Sequence, residues 1–366
     1  MTIKKIKTAI VGLNIKEKII LGDFEITGIK DMELRGYIFN IKKFIKNGIY
    51  GVDYARAITE AKYVDEFYRS NDKNYLNAAD GMIKELAEFD IVIFSSFNPL
   101  HPELIHNKLK NSIKVIGFID DPFSTYLRGI PYLWAFDAAY YISPGYSSSM
   151  SFNDFFNKIG FKKHCWLPLV TSRNVDPFSY PKLSLAEITN RNKEIIYVGA
   201  PVGNKVDKIK KFDKEFKDKL QIFGYWPYNG YYGYLRPLWG ESPYFRRVRP
   251  IDAIKKFELY NKTKIGLNMH LSNSSAECGN ARTYETAAFG MMLLSDRAGL
   301  NTQNQIFEEG VEAIYYDSTE QAIELAHYYL RNSKERSRIA MAGHMRARSD
   351  YSWENVTHTF LKWLTK

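Results

Sequence analysis

Residues 264–296 carry three signals in a row: KIGLNMH (264–270), AECGNARTYETAAFG (276–290) and MMLLSD (291–296). The first and last are short apolar runs bounded by turn residues, which read as buried strands. Between them a loop of small and polar residues runs into an Ala-containing helix that stops at Gly290, a residue type that ends helices by tolerating left-handed backbone. Strand, loop, helix and strand in this order make one βαβ unit.

Working outward, the same grammar recurs. KTAIVGL (7–13), DIVIFSSF (90–97), KVIGFID (114–120), AAYYISP (138–144) and KKHCWLPLV (162–170) alternate with helical patterns such as GMIKELAEF (81–89) and PELIHNKL (102–109). A polar stretch with prolines, TSRNVDPFSYPKLSLAEITNRNK (171–193), then interrupts the periodicity. A second series follows with EIIYVGA (194–200), KLQIFGYW (219–226), IDAIKKFELYNKT (251–263), the opening βαβ stretch and AIYYD (313–317). The reading is therefore α/β with two Rossmann-like, doubly wound domains: 1–172, a linker over 173–193, 194–348, and a terminal helix over 349–366. Ligands of such sheets bind beyond the carboxyl ends of the strands, which singles out residues 95–101, 120–121, 200–205, 223–226 and 270–285.

The totals set bounds. A chain of 366 residues, 45% hydrophobic, can bury two cores. No apolar run reaches the roughly 18 residues of a membrane span, and MTIKKIKTAIVGLN lacks a signal peptide's cleavage region, so a cytoplasmic protein is expected. Cys165 and Cys278 stand alone and the seven histidines are scattered, which supports neither a disulfide framework nor a metal site. The net charge of +10 favours an anionic partner, whether nucleotide phosphates, nucleic acid or an acidic membrane surface. A lysine-rich solvated surface explains the same charge without any partner.

The helix opening at GNARTYE offers backbone N–H groups, with Gly279 permitting close approach and Arg282 adding a cation, a combination suited to a pyrophosphate. Glu285, one turn on, can accept hydrogen bonds from a ribose diol, and Glu277 from sugar hydroxyls. The plainer alternative makes Glu285 a solvated helix residue and Glu277 an ordinary loop residue.

The E-x7-E spacing of Glu277 and Glu285, followed by an Ala-rich helix, Gly290 and a strand, resembles the donor-binding half of family 4-like GT-B glycosyltransferases. More narrowly, Asn280, Arg282, Thr283, Glu285 and Gly290 resemble the N-x-R-T-x-E-x4-G pattern of the CgeB-like, spore-maturation group. The resemblance runs from about residue 88 and is strongest over 265–350; residues 25–80 carry no motif.

It implies a GT-B fold with a central cleft and a nucleoside-diphosphate sugar as donor, UDP-sugar first among them. It also implies no tightly bound cofactor and a retaining, metal-independent hexosyl or pentosyl transfer. By matching positions, Glu285 would hold the ribose and Glu277 the sugar. The diphosphate would lie on the segment Gly279, Asn280, Ala281, Arg282 and Thr283, with Gly199 at the strand end and Lys205 as a neutralising cation. One departure stands out: Ala200 follows Gly199 where many family 4 enzymes have an arginine.

On the acceptor side, Asp120 and Asp121 in FIDDPFS can position or deprotonate a hydroxyl, or simply form a turn. His101 is a second candidate base, with capping or solvation as its alternative. The segment 223–250 interleaves aromatics and arginines; Tyr225, Trp226, Arg246 and Arg247 would contact acceptor or base, or the loop would only pack over its domain. Trp353, Val356, Phe360 and Trp363 lie along one side of the final helix, which would cross back to the first domain or rest on an anionic membrane. Three functions follow: transfer to a glycan, lipid-linked glycan or protein; transfer to DNA with hydroxymethylated bases; or non-catalytic binding of a nucleotide or nucleic acid.

Overall fold

The computed structural model describes residues 5–13, 18–31, 34, 62–95, 98–118, 129–143, 150–169, 182–199, 205–224, 250–270, 279–298 and 303–366. It divides into two compact units. The first takes Met1–Ile142, Asn153–Leu167 and Thr357–Lys366, and the second takes Ser143–Phe152 and Pro168–Val356.

Among the described residues the first unit builds a seven-stranded sheet in the order β2-β3-β1-β4-β5-β6-β7. Its strands are β1 Ile6–Val11, β2 Ile19–Leu21, β3 Phe24–Ile29, β4 Ile91–Ser95, β5 Ile113–Phe118, β6 Ala138–Tyr141 and β7 His164–Trp166. All pairings are parallel except the β2/β3 hairpin. That hairpin is absent from the sequence reading, although FEITGI alternates as a strand should. Helices α1 (Lys73–Leu86), α2 (Pro102–Lys108) and α3 (Phe152–Lys158) belong to the same part of the chain. Asp72 caps α1 by accepting from the amides of Asn74 and Tyr75.

The second unit has helix α4 (Leu185–Thr189), which begins with a capping box between Ser184 and Glu187, inside the stretch expected to be a linker. Five parallel strands follow among the described residues, in the order β12-β11-β10-β8-β9. They are β8 Lys193–Val198, β9 Leu220–Phe223, β10 Thr263–Asn268, β11 Met292–Asp296 and β12 Ile314–Tyr316. Its longer helices among the described residues are α5 (Lys205–Phe216), α6 (Ala253–Tyr260), α7 (Ala281–Ala288), α8 (Thr319–Arg331) and α9 (Ser333–Asp350).

Both faces of this sheet are buried, as near-continuous apolar strands require. Ile195, Tyr197, Ile265, Leu267, Met292 and Leu294 pack with Ile209, Phe212 and Phe216 of α5 and Ala322 and Ala326 of α8. Ile196 turns the other way, toward Phe257 and Tyr260 of α6 and Phe289 beyond α7. The rings of Phe257 and Phe289 stack 4.5 Å apart at 8°, which fixes α6 beside α7. Gly290 ends α7 with φ +68°, a conformation glycine adopts without strain.

The last helix, α10 (Trp353–Leu364), contributes its residues from Thr357 onward to the first unit. Phe360 meets Tyr140 edge-on at 5.2 Å, and Lys163 Nζ donates to the Leu364 carbonyl at 2.6 Å. Phe360, Leu361 and Leu364 are buried, so this side of the helix is used in packing. Among the described residues no helix is long and apolar enough to cross a membrane.

Candidate active site

The strand order marks a candidate site in the second unit. From β8 the chain moves to β9 on one side and later returns to β10 on the other, so the sheet has its topological switch point between β8 and β10. In sheets of this kind ligands bind beyond the strand ends at that point. Helices α5 and α7, which follow these two strands, both begin at that end.

Arg282, in the first turn of α7, bridges the ends of β8 and β10. Its Nη1 donates to the Val198 carbonyl at the end of β8 (2.9 Å), its Nε to Asn268 Oδ1 at the end of β10 (3.0 Å), and its Nη2 to the Met269 carbonyl (3.1 Å). A guanidinium has five N–H donors, so one on each of Nη1 and Nη2 lies beyond these three bonds. The ion also sits over the Tyr197 ring at 5.3 Å. Gly199 makes the arrangement possible: a Cβ there would lie 2.4 Å from Arg282 Nη1 and 2.8 Å from the Tyr197 hydroxyl.

Asn268 anchors the floor. Its Nδ2 donates to Thr283 Oγ1 and Ser295 Oγ, both at 3.1 Å, while its carbonyl accepts from Tyr316 Oη at 2.9 Å. Buried polar groups need such partners, and a network this complete holds one geometry.

The start of α7 differs from the sequence expectation of open amides. Asn280 occupies the N-cap: its Oδ1 accepts from the Arg282 amide at 3.0 Å and its carbonyl from the Thr283 amide at 3.0 Å, while Thr283 Oγ1 accepts from the Asn280 amide. A capping asparagine satisfies the very donors that a phosphate would use. Two of the amides at this end, those of Arg282 and Thr283, are thus taken, while the helix still offers its dipole.

Glu285, buried one turn further on, is paired. Lys256 Nζ of α6 lies 2.9 and 3.0 Å from its two carboxylate oxygens. Lys205 is the first residue of α5 and is buried. Three residues on, Lys208 Nζ reaches Asp296 Oδ2 at 3.2 Å. Asp296, at the end of β11, also accepts from the His270 amide and lies 2.7 Å from His270 Nδ1. Burial works to raise the Asp296 pKa, but His270 and Lys208 outweigh it and hold the carboxyl below its ordinary value.

Asn280, Ala281, Arg282, Thr283, Glu285, Gly279, Gly199 and Lys205 are thus gathered around the ends of β8 and β10. Glu277, Asp120, Asp121, Tyr225, Trp226, Arg246 and Arg247 lie outside the described residues. His101, in the first unit, is the N-cap of α2: its Nδ1 accepts from the Glu103 amide at 3.3 Å, its Nε2 lies 3.5 Å from Asp65, and its ring stacks on Tyr68 at 3.8 Å. Burial pushes its pKa down. These contacts account for the residue as the cap that the sequence offers as its alternative role.

Lys256, Lys208 and Asp296 were not singled out by the sequence. Their partners are 29 and 88 residues away, and no local spacing encodes such pairs. His270 fell in a strand-end segment worth watching, but nothing local linked it to Asp296. Among the described residues no group of three or more His, Cys, Asp or Glu is placed to hold a metal.

Residues 206–362 match the family model described as glycosyl transferase-like. No curated protein matches the sequence. Among solved structures, HepE of Anabaena in complex with UDP-glucose superposes with a TM-score of 0.54 at 10% identity, covering 97% of this chain and 99% of that one. Sucrose-phosphate synthase of Thermosynechococcus elongatus gives 0.54 at 10%, covering 98% of each chain. An α-glucosyltransferase in complex with UDP-glucose and DNA containing an abasic site gives 0.55 at 12%, covering 79% and 83%. The fold is that of GT-B glycosyltransferases. The glycosyl transferase-like match covers most of the second unit.

Proposed function

We propose that this protein transfers a sugar, a hexose or a pentose, from a nucleoside-diphosphate donor, UDP-sugar in the first instance, to an acceptor hydroxyl on a glycan, lipid-linked glycan or protein. The observation that carries the reading is Arg282. Its guanidinium is fixed at the switch point of the sheet by bonds to Val198, Asn268 and Met269, with Glu285 one turn along the same helix. A guanidinium suited to a diphosphate and a carboxylate suited to ribose hydroxyls, three residues apart on one helix, support this reading. The solved structures of similar fold that contain UDP or UDP-glucose support the choice of base.

In this reading Arg282 and Lys205 stabilise the departing diphosphate, whose developing charge is the main electrostatic demand of the reaction. The anomeric carbon passes through an oxocarbenium-like state. Glu277 orients the sugar, and Asp120 or Asp121 positions the acceptor hydroxyl. Retention, independence from metal and membership of the CgeB-like group form part of the same proposal, resting on the pattern of Asn280, Arg282, Thr283, Glu285 and Gly290.

The test is calorimetry of a nucleoside-diphosphate panel with the wild type and Glu285→Ala. One diphosphate binding tightly, and at least about tenfold more weakly to the variant, a loss of about 1.4 kcal/mol, supports the reading. A folded protein that binds none of them overturns it. The +10 charge favours one second reading, DNA as acceptor, supported by the similar fold of a glucosyltransferase solved with DNA. In that case acceptor KM rises steeply with salt, whereas a KM indifferent to salt rules it out.

A further inference from the structure

We infer that Lys256 is a positioning residue that makes Glu285 a reader of the ribose 2′-hydroxyl, so that the site selects ribonucleotide over 2′-deoxyribonucleotide donors. The inference rests on the donor-site reading and adds to it a residue from a different helix. The ammonium of Lys256 bridges both oxygens of Glu285 at 2.9 and 3.0 Å, and the two side chains are 18% and 11% exposed.

A carboxylate has about four lone-pair sites across its two oxygens. One on each oxygen is directed to Lys256, which leaves one on each for a ligand. The ligand chemistry that fits two acceptor oxygens side by side is a vicinal diol presenting two O–H donors.

The geometry is set before any ligand arrives. Lys256 stands on α6 and Glu285 on α7, and the helices are locked together by the stacked rings of Phe257 and Phe289, the neighbours in sequence of Lys256 and of the α7 terminus. Tyr260, one turn beyond Lys256, packs edge-on against the same Phe289 ring. A side chain held on rigid elements with a supporting partner loses little entropy when it binds. Without Lys256, Glu285 would rotate among several rotamers and accept from one hydroxyl as readily as from two.

A purely structural ion pair would behave differently. Its loss would lower stability, and it would weaken UDP and 2′-deoxy-UDP by the same factor. The discrimination ratio between the two nucleotides therefore separates the roles.

The experiment is calorimetric titration of UDP and 2′-deoxy-UDP into wild type, Lys256→Met, Lys256→Arg and Glu285→Gln, each checked for folding by thermal melting, with Lys256→Gln in reserve should the methionine variant fail to fold. A hydrogen bond to a charged group contributes about 1.5–3 kcal/mol, so the wild type should prefer UDP by at least about tenfold. The ratio should fall to within about threefold in Lys256→Met and in Glu285→Gln, and recover in Lys256→Arg, whose cation bridges the same two oxygens. A ratio in Lys256→Met equal to that of wild type overturns the inference, whether the affinities themselves fall or rise, and leaves the donor site standing. A wild type that binds neither UDP nor any other nucleoside diphosphate overturns the donor-site reading and this inference with it.

Discussion

The imidazole of His270 and the carboxylate of Asp296 meet at the ends of the adjacent strands β10 and β11, Nδ1 to Oδ1 at 2.7 Å, with the His270 amide bonded to the same carboxylate. Lys208 completes the group from α5. A buried carboxylate that receives this many donors cannot be removed without leaving them unpaired. Asp296→Ala is expected to cost about 3 kcal/mol in urea denaturation. The exposed pair of Lys211 and Glu320 offers the contrast: Lys211→Ala should change stability by less than about 0.5 kcal/mol.

The two glycines Gly199 and Gly81 should respond oppositely to alanine. At Gly199 the added methyl runs into Arg282 Nη1 and the Tyr197 hydroxyl, so the guanidinium must leave its bonds. A destabilisation of about 1–3 kcal/mol and at least about tenfold weaker nucleotide binding should follow. Nothing lies within 4 Å of a Cβ at Gly81, in the body of α1, and Gly81→Ala should stabilise by about 0.5–1 kcal/mol. Thermal melts and one nucleotide titration check both.

Arg282→Lys is not a conservative change. One ammonium cannot span Val198, Asn268 and Met269, because it lacks the planar fork that reaches all three acceptors. Transfer kcat/KM should fall by about a hundredfold or more while the circular dichroism spectrum is preserved. A variant within about threefold of wild type would remove Arg282 from the proposed diphosphate site.

Acid should unfold the second unit partly through His344. Its Nδ1 lies 2.8 Å from the Ala288 carbonyl and its Nε2 accepts from the Leu183 amide at 3.3 Å, an arrangement that suits the neutral ring. Burial, with Arg348, Arg191 and Lys182 nearby, pushes its pKa from 6.5 down to about 4. Between these values the unfolded chain binds the proton that the folded one refuses, so stability is complete above pH 6.5 and declines as pH falls toward 4. The loss is on the order of 3 kcal/mol. Urea midpoints at pH 7.5 and 4.5 should differ less in His344→Gln than in wild type.

Local spacing sufficed for one class of feature. KIGLNMH, ARTYETAA, Gly290 and MMLLSD each satisfy a short-range rule for strand, helix, stop and strand. The candidate positions Arg282 and Glu285 fall on α7 because three residues is one turn. The β2/β3 hairpin was legible in principle but too short to stand out among the charged residues around it.

What the sequence by itself determined is the alternation of strands and helices, hence two doubly wound units, and the helix that carries Arg282 and Glu285. Periodicity and capping act over a few residues, and they leave their mark in any stretch that obeys them. Tertiary structure alone decided what surrounds that helix: Lys256 on Glu285, Arg282 across Val198 and Met269, and Lys208 and His270 on Asp296. These contacts join residues that the parallel sheet brings together only after each crossover has closed. Charge pairs made at that range carry no periodic signature along the chain.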